Sequence, residues 1–335
     1  MRKILIKIRE RIRMAGGVKQ ISIDAVLPIV LLPLMFSVAA INFYFMITIC
    51  IVMPLFLGYA QWLRKSFAPR TKFFFMWSLW SGIYLWILFE MTVPLMELLP
   101  EENFIFITTM FAAAFCFYKT RQKAADNYVA PKTDDIDSIR DTDQTRLLMD
   151  VEEVDENDDS KENSETDSDP CDFMMSKTNN VCPKCRRYIP PRAFHCRICQ
   201  QCIAKRDHHS IWLDCCIGQS NHKFFLAGCF LAMFALLFGA NLSMTSICHP
   251  FFVFRIFSIS VLLPDDCSDV FDQYDIALCF VGSIYATVMA ICCLIILVQQ
   301  CYLILKGVTA SEWSRGDINR NGCVMNLKTF LCCAR

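Results

Sequence analysis

Residues 182–225 read CPKCRRYIPPRAFHCRICQQCIAKRDHHSIWLDCCIGQSNHKFF. Closely spaced cysteines alternate here with histidines, in the order Cys182, Cys185, His195, Cys196, Cys199, Cys202, His208, His209 and Cys216. Thiolates and imidazoles at such short spacings satisfy the tetrahedral geometry of zinc, and a closed set of four ligands is structural. Eight ligands make two sets, so the segment is predicted to be a small two-zinc domain. Spacing alone leaves open which ligands share an ion and which histidine is left over.

The chain has 20 cysteines, and seven of them lie between Cys182 and Cys216. Their spacing is that of metal sites and not that of a disulfide framework. The other thirteen are scattered through apolar runs and the C-terminal tail, where a buried thiol behaves as a small hydrophobe. Cys248 and Cys267 are the one candidate disulfide pair, because the topology below puts both on the far side of the membrane. Cys332 and Cys333 are candidate acceptors of acyl chains.

The composition indicates a membrane protein. Of 335 residues 55% are hydrophobic and the mean hydropathy is +0.36, above the roughly 45–50% apolar content of soluble domains. Six apolar stretches approach the ~20 residues that cross a bilayer: 24–41, 43–60, 72–95, 103–118, 224–247 and 276–305. We therefore expect an α-helical polytopic membrane protein with about six transmembrane helices and a small cysteine-rich domain.

The connecting segments predict the orientation. Segments 1–20, 64–72 and 119–123 are basic, whereas 97–103 and 264–275 are acidic or neutral. By the positive-inside rule, both termini and the cysteine-rich domain are cytosolic and 264–275 is lumenal.

Acidic and basic residues are distributed unevenly along the chain. Residues 131–170 carry 16 acidic and 4 basic residues, a net charge of −12, so the remainder carries +12. Such a segment, without aromatic residues, is typical of a flexible linker. The predicted organisation is a basic N-terminus (1–23), four spans (24–118), an acidic linker (119–180), the zinc domain (181–225), two spans with a lumenal loop (226–305) and a cytosolic C-terminal region (306–335). Residues 1–14 fit either an amphipathic helix on anionic lipid or a simple topogenic tail.

The cysteine-rich block resembles the DHHC domain of protein S-acyltransferases, or palmitoyltransferases. The pattern C-x2-C-x9-H-C-x2-C-x2-C-x4-D-H-H-C-x5-C-x4-N-x3-F is met at every position except the catalytic cysteine, which is Ser210 here. The resemblance implies two interleaved zinc sets: Cys182, Cys185, His195 and Cys202 on one ion, and Cys196, Cys199, His209 and Cys216 on the other. It leaves Asp207 and His208 available for chemistry.

The resemblance extends to the C-terminal region. Similar enzymes carry a TTxE motif after the last span, and 309-TASE-312 keeps Thr309 and Glu312 but has Ala310 at the second threonine. Gly322 and Asn326 match a following Gly-x3-Asn. The family implies palmitoyl-CoA or a similar acyl-CoA as co-substrate and client proteins with membrane-proximal cysteines as acceptors. It also implies an acyl pocket lined by Trp212 and a Golgi or endoplasmic reticulum membrane. Nucleic-acid binding is not expected, because the zinc-finger arrangement with an intervening helix is absent from the sequence.

Ser210 bears directly on the chemistry. In the family mechanism a cysteine thiolate takes the acyl group, histidine acts as general base and aspartate fixes its tautomer. A thiol with a pKa of about 8.5 needs only modest help from an imidazole, whereas a serine hydroxyl needs far more. An acyl-serine is an oxygen ester, more stable than a thioester, so transfer from it to a cysteine runs uphill.

Three functions follow from these residues. The first is an S-acyltransferase that acts through Ser210, with Asp207 and His208, or through a displaced nucleophile, Cys215. The second is an inactive relative that binds acyl-CoA or client proteins as a membrane scaffold. The third is a zinc-ribbon membrane adaptor unrelated to lipid.

Overall fold

The computed structural model describes residues 12–13, 20–21, 23–67, 71–93, 100–129, 181–256, 259–317 and 322–332. Its helices are α1 (Ile23–Ala39), α2 (Phe43–Phe67), α3 (Phe73–Thr92), α4 (Pro100–Gln122), α5 (His222–Ile247), α6 (Tyr274–Lys306), α7 (Ala310–Trp313) and α8 (Cys323–Cys332). Most of the predicted N-terminal segment 1–14, the acidic linker from residue 130 onward, and Cys333 lie outside the described residues.

The helices form a multi-pass membrane bundle. Five of those in the described part, α2 to α6, are long and apolar enough to cross a bilayer. α1 has only 17 residues, which extend about 26 Å against a hydrocarbon core of about 30 Å. The polytopic class is confirmed, and the sixth span stays a prediction.

The named strands in the described part of the chain pair as antiparallel hairpins. β1 (Ile12–Arg13) pairs with β2 (Gln20–Ile21). The cysteine-rich segment holds three hairpins, formed by β3 (Val181–Cys182) with β4 (Arg187–Tyr188), β5 (Phe194–Cys196) with β6 (Gln201–Ile203), and β7 (His208–Ser210) with β8 (Cys215–Ile217). A longer hairpin, β9 (His249–Ile256) with β10 (Ile259–Asp266), lies between α5 and α6. The sequence analysis treated that region only as a loop.

Aromatic side chains dominate the core of the bundle. Phe36 of α1, Trp77 of α3 and Tyr285 of α6 meet there, and all are almost fully buried. The Tyr285 hydroxyl accepts a hydrogen bond from Trp77 Nε1 at 3.0 Å and lies 2.8 Å from Ser81 Oγ. These polar groups satisfy one another, as buried groups must where no water reaches them.

α4 and α5 pack closely because glycines remove side-chain bulk between them. A Cβ on Gly239 would lie 2.6 Å from the Phe106 ring, and one on Gly228 would lie 2.8 Å from the Phe117 ring. Small residues at such contacts allow membrane helices to approach each other. α5, which begins directly after the zinc hairpins, is thereby held against α4, which ends beside them.

The segment after α4 differs from the prediction of a linker that starts at 119. α4 continues to Gln122, and a 3₁₀ turn at Ala125–Asn127 packs onto the cysteine-rich domain. Val129 N donates to Cys202 O at 3.0 Å, and Asn127 is 1% exposed. Residues 119–129 are therefore ordered against the domain, because their backbone supplies hydrogen bonds that a polar sequence pattern does not reveal.

Asn221 joins the membrane helices to the cysteine-rich domain through hydrogen bonds, and this set of hydrogen bonds is called the joint below. It is fully buried; its Nδ2 donates to Thr120 O and Cys216 O at 2.9 Å each, and its Oδ1 accepts from Gly218 N at 2.9 Å and Asn127 Nδ2 at 3.1 Å. One carboxamide thus links the end of α4, the third zinc hairpin and the start of α5.

We predict that Asn221→Ala destabilises the protein strongly, because it strands buried polar groups that each cost about 1–3 kcal/mol when unpaired. The midpoint of thermal unfolding, measured on purified protein in nanodiscs, should fall by at least about 6 °C. Gln219→Ala, at an exposed position two residues away, is the matched control. A shift for Asn221→Ala no larger than that of the control would contradict the role of this joint.

Candidate functional site

The first and second hairpins bring four thiol and imidazole groups together. The ligand atoms of Cys182, Cys185, His195 and Cys202 all lie within 4.8 Å of one another. His195 Nδ1 lies 3.2 Å from Cys185 Sγ and 3.8 Å from Cys202 Sγ, and the two sulfurs are 3.6 Å apart. His195 and Cys202 face each other across β5 and β6, so the strand register itself supplies two of the four.

A second set is built in the same way by the second and third hairpins. Cys196, Cys199, His209 and Cys216 also lie within 4.8 Å of one another. His209 Nδ1 is 3.4 Å from Cys199 Sγ and 3.6 Å from Cys216 Sγ, and these sulfurs are 3.5 Å apart. His209 and Cys216 are cross-strand partners in β7 and β8.

These separations fit zinc. Four tetrahedral bonds of about 2.3 Å to sulfur and about 2.0–2.1 Å to nitrogen separate the ligand atoms by about 3.5–3.8 Å. The measured distances of 3.2–3.8 Å bracket that range. Each set offers three sulfurs and one nitrogen, the soft donors that zinc prefers, and its closed coordination assigns the ion a structural role.

The two Cys-x2-Cys turns have the same local geometry. Cys185 N approaches Cys182 Sγ at 3.4 Å, and Cys199 N approaches Cys196 Sγ at 3.5 Å. The next residue, Arg186 or Gln200, has a positive φ of 49° or 56°, and its N–H donates at 2.7 Å to the carbonyl of the first cysteine. The sequence at this position is not glycine, so each turn holds a conformation that is costly for a side chain.

β7 separates the metal ligand from the remaining polar residues. Side chains alternate along a strand, so His208 and Ser210 emerge on one face and His209 on the other. His209 is held in the second ligand set, whereas His208 Nδ1 lies 2.6 Å from Asp207 Oδ2. The third hairpin therefore assigns the two adjacent histidines to different tasks.

Asp207 is a buried carboxylate with a full set of partners. It is 1% exposed; Gln300 Nε2 donates to its Oδ2 at 2.8 Å and Ala310 N donates to its Oδ1 at 2.7 Å. Burial raises the pKa of Asp207, but the hydrogen bond and charge of His208 with the other donors outweigh it and hold that pKa well below its ordinary value. The carboxylate is ionised, and it keeps the proton of His208 on Nδ1.

Gln300 of α6 connects Asp207 to His222 at the start of α5. Its Oε1 lies 2.8 Å from His222 Nε2, and its side chain is almost fully buried. The amide can donate to the carboxylate with one end and accept from the imidazole with the other. Gln300 was not predicted as a site residue, because a single glutamine inside a long apolar run carries no motif.

The 309–312 segment forms α7 with a complete capping box. Thr309 Oγ1 accepts from Glu312 N at 3.3 Å, and Glu312 Oε2 accepts from Thr309 N at 2.7 Å. Glu312 also pairs with Arg192 at 2.6 Å. Burial raises the pKa of Glu312, and the Arg192 and Thr309 bonds outweigh that effect and lower it. Ala310 keeps its contact with Asp207 through its backbone N–H, and Ser311, also absent from the predictions, donates to Asp207 O at 2.6 Å.

Comparison with known proteins matches residues 175–317 to the DHHC palmitoyltransferase family. Palmitoyltransferase ZDHHC23-A of Danio rerio is 27% identical over 313 residues, covering 91% of this chain and 72% of that protein. Palmitoyltransferase ZDHHC23 of Homo sapiens is 24% identical over 319 residues, covering 91% and 76%. Probable protein S-acyltransferase 12 of Arabidopsis thaliana is 53% identical, over 45 residues that cover 13% and 16% of the two chains.

Residues 175–317 thus match the DHHC family, and the name DHHC domain is used below for their cysteine-rich part, residues 181–225. In this domain, Ser210 stands at the end of β7, 6% exposed, and its Oγ accepts from Leu213 N at 3.4 Å. Cys215 is the cross-strand partner of Ser210, much closer than five residues of sequence suggest. Burial raises the pKa of the Cys215 thiol to about 12, which opposes its use as a nucleophile.

The turn after Ser210 docks the DHHC domain onto the membrane helices. The ring of Trp212 lies edge-on to Phe74 of α3 at 5.2 Å, and Trp212 O accepts a hydrogen bond from Ser78 Oγ at 2.9 Å. Ile211 packs against the same aromatic cluster of the bundle. Trp212 therefore lies against α3 of the bundle, and its role at an acyl pocket stays a prediction.

We predict that the purified protein holds two zinc ions per chain and that Cys216→Ser reduces this to one, because the second set loses a thiolate. Cys215→Ser is the matched control: the neighbouring cysteine is also buried but belongs to neither ligand set, so it should retain two. Elemental analysis of the metal gives the count. Two ions in Cys216→Ser, or loss of an ion in Cys215→Ser, would contradict the assignment.

Proposed function

We propose that this chain is a membrane-bound protein S-acyltransferase that takes a long acyl chain from acyl-CoA and passes it to membrane-proximal cysteines of client proteins. The observation that carries the proposal is the pairing of Asp207 with His208 next to Ser210, on a hairpin held by the second ligand set. Every position of the cysteine-rich pattern except the nucleophile is present in the chain.

His208 is the proposed general base. Its Nδ1 is occupied by Asp207, which leaves Nε2 with the lone pair that accepts a proton. The imidazole is 33% exposed and touches the Phe225 ring edge-on at 5.5 Å. One side of the imidazole ring is thus packed against Phe225. A substrate has to approach the part of the ring that stays exposed.

Acylation of Ser210 is proposed as the first step. Its Oγ forms a bond to the acyl carbon while the thioester C–S bond breaks. His208 accepts the hydroxyl proton and returns it to the departing thiolate of coenzyme A. The product is an oxygen ester, so the second step, attack by a client cysteine, is the slow one. Asp207, Gln300, and the Ala310 N–H serve as positioning groups for His208 in both steps.

The two ends of acyl-CoA call for different surroundings. The acyl chain is proposed to enter the helices beside Trp212, which already contacts α3. The phosphates of coenzyme A suit exposed basic residues such as Lys184 and Arg186 on the DHHC domain. Arg192 is unsuited to this task because Glu312 holds its guanidinium.

The proposed orientation keeps both termini and the DHHC domain in the cytosol, with the protein in a Golgi or endoplasmic reticulum membrane. The basic segments 64–72 and 119–123 support this orientation. Acyl-CoA and client cysteines are then on the same side of the membrane as His208. The eight ligands assign both zinc ions to folding and not to the reaction.

We predict that the wild-type protein, incubated with an alkyne-tagged palmitoyl-CoA, acquires one slowly formed label that resists neutral hydroxylamine, because hydroxylamine cleaves thioesters and spares oxygen esters. Ser210→Ala should abolish this label. Ser220→Ala, a serine ten residues away in the same domain, is the control and should leave it unchanged.

Two other outcomes would overturn parts of the proposal. A hydroxylamine-sensitive label that survives Ser210→Ala and disappears in Cys215→Ala identifies Cys215 as the nucleophile. Binding of palmitoyl-CoA without any covalent label contradicts acyl transfer and identifies the chain as an acyl-CoA-binding scaffold. Intrinsic fluorescence titration with palmitoyl-CoA distinguishes this second outcome from a protein that does not bind the lipid.

A further inference from the structure

The hairpin β9–β10 stands at the end of α5 opposite the DHHC domain. α5 begins at His222, beside the zinc sites, and ends at Ile247. The hairpin follows at once, and a disulfide between Cys248 and Cys267 closes its base. The pairing that the sequence suggested for these two cysteines is therefore present. α5 is one of the candidate membrane spans, so the hairpin lies at the membrane face away from the DHHC domain.

The middle of this hairpin carries apolar pairs on both faces, between the polar pair Arg255–Ser260 next to the turn and the pair His249–Asp266 at the base. Phe252 pairs with Leu262 across the strands, and Phe251 pairs with Leu263 on the opposite face. All four side chains are exposed, with Phe252 at 57%. An antiparallel hairpin in water alternates apolar and polar positions and is marginally stable by itself. Apolar pairs on both faces require a covering of some kind beyond the described residues.

The position of the hairpin indicates what covers it. Asn241 Nδ2 of α5 donates to Leu262 O of β10 at 3.3 Å. Asn241 precedes the disulfide residue Cys248 by seven positions, or about 10 Å along the helix axis. The hairpin thus folds back from its base along α5 toward the membrane, rather than projecting away into solvent.

Polar residues at the end of α5 and at the base of the hairpin indicate that the hairpin base lies at the membrane interface. The last turns of α5 carry Asn241, Ser243, Thr245 and Ser246, after nearly twenty mostly apolar residues that span the hydrocarbon core. At the base of the hairpin, Asp265 and Asp266 are exposed and stand at the outer level, away from the bilayer. Open strand edges are excluded from hydrocarbon but tolerated where headgroups and water hydrate the backbone.

We propose that the β9–β10 hairpin is an interfacial membrane anchor whose apolar side chains insert among the lipids of the leaflet opposite the DHHC domain. Phe and Leu side chains form the inserted apolar face of interfacial segments, and Phe251 and Phe252 supply two of them. The disulfide fixes the base of the hairpin to the end of α5. The hairpin would therefore hold the α5–α6 pair at the membrane surface. The inference requires that α5 and α6 cross the membrane and is independent of the acyl-transfer chemistry.

The test is photo-crosslinking on the full-length protein in phosphatidylcholine vesicles, with p-benzoylphenylalanine introduced at Phe252 or, in a second variant, at Leu263. Val298, 61% exposed on α6, is the lipid-facing control, and Asp269, exposed beyond the hairpin base, is the aqueous control. Mass spectrometry of the irradiated protein measures covalent lipid adducts. Zinc content and thermal stability equal to wild type confirm that each variant is folded.

We expect a lipid adduct at Phe252, at Leu263 or at both, with a yield comparable to that at Val298 and at least about tenfold above that at Asp269. Yields at both hairpin positions equal to that at Asp269 would overturn the anchor. Discrete protein–protein adducts in place of lipid adducts would also overturn it, and their mass would identify a second copy of this chain or another protein as the occupant.

Discussion

The buried carboxylate of Asp207 is the constraint on which the site depends. An ionised group without water is costly by several kcal/mol unless every lone pair is matched, and here three parts of the chain match it. His208 comes from the DHHC domain, Gln300 from α6, and the Ala310 N–H from the start of α7. The same carboxylate that orients the proposed base therefore locks the zinc-bearing domain to the last membrane helix and to the C-terminal segment.

The two metal sites hold the three hairpins of the DHHC domain together. Each ligand set joins two successive hairpins, so the three hairpins form one unit although each has only two or three residues per strand. The hairpins share only small apolar clusters around Ile189 and Ile203, and structural zinc adds the stability that such small clusters lack. Because His209 is fixed in the second set, strand alternation fixes the opposite facing of His208 and Ser210.

The elements with a strong local signal were predictable from the sequence. The spans now seen as α2 to α6 follow from apolar length, and the zinc segment follows from cysteine spacing, while the resemblance separated His209 from His208. Gln300, Ser311 and Asn221 act through contacts with residues 5 to 104 positions away, and spacing carries no information about such partners. The β9–β10 hairpin was not predicted, because its central pairs are apolar on both faces and the period-two alternation typical of strands is missing.

At Ala310 the sequence pattern suggests a loss of function that the structure does not show. Alanine at this position departs from the family motif, which has a second threonine there. The contact with Asp207 is made by the backbone, which alanine supplies equally well, and Ser311 contributes a hydroxyl one residue later. The departure that bears on the proposed chemistry is Ser210, which stands where the family pattern has its nucleophilic cysteine.

We infer that Asp207, His208 and their partners form an acyl-transfer site that carries a weak nucleophile, and the Ser210→Cys variant is its direct test. The initial rate of acyl-enzyme formation from palmitoyl-CoA should be measured for both forms, with hydroxylamine sensitivity as the marker of the new thioester. We expect a gain of at least about 100-fold, which corresponds to about 2.7 kcal/mol of barrier. A Ser210→Cys protein that binds palmitoyl-CoA and holds both zinc ions but gains no rate would contradict it.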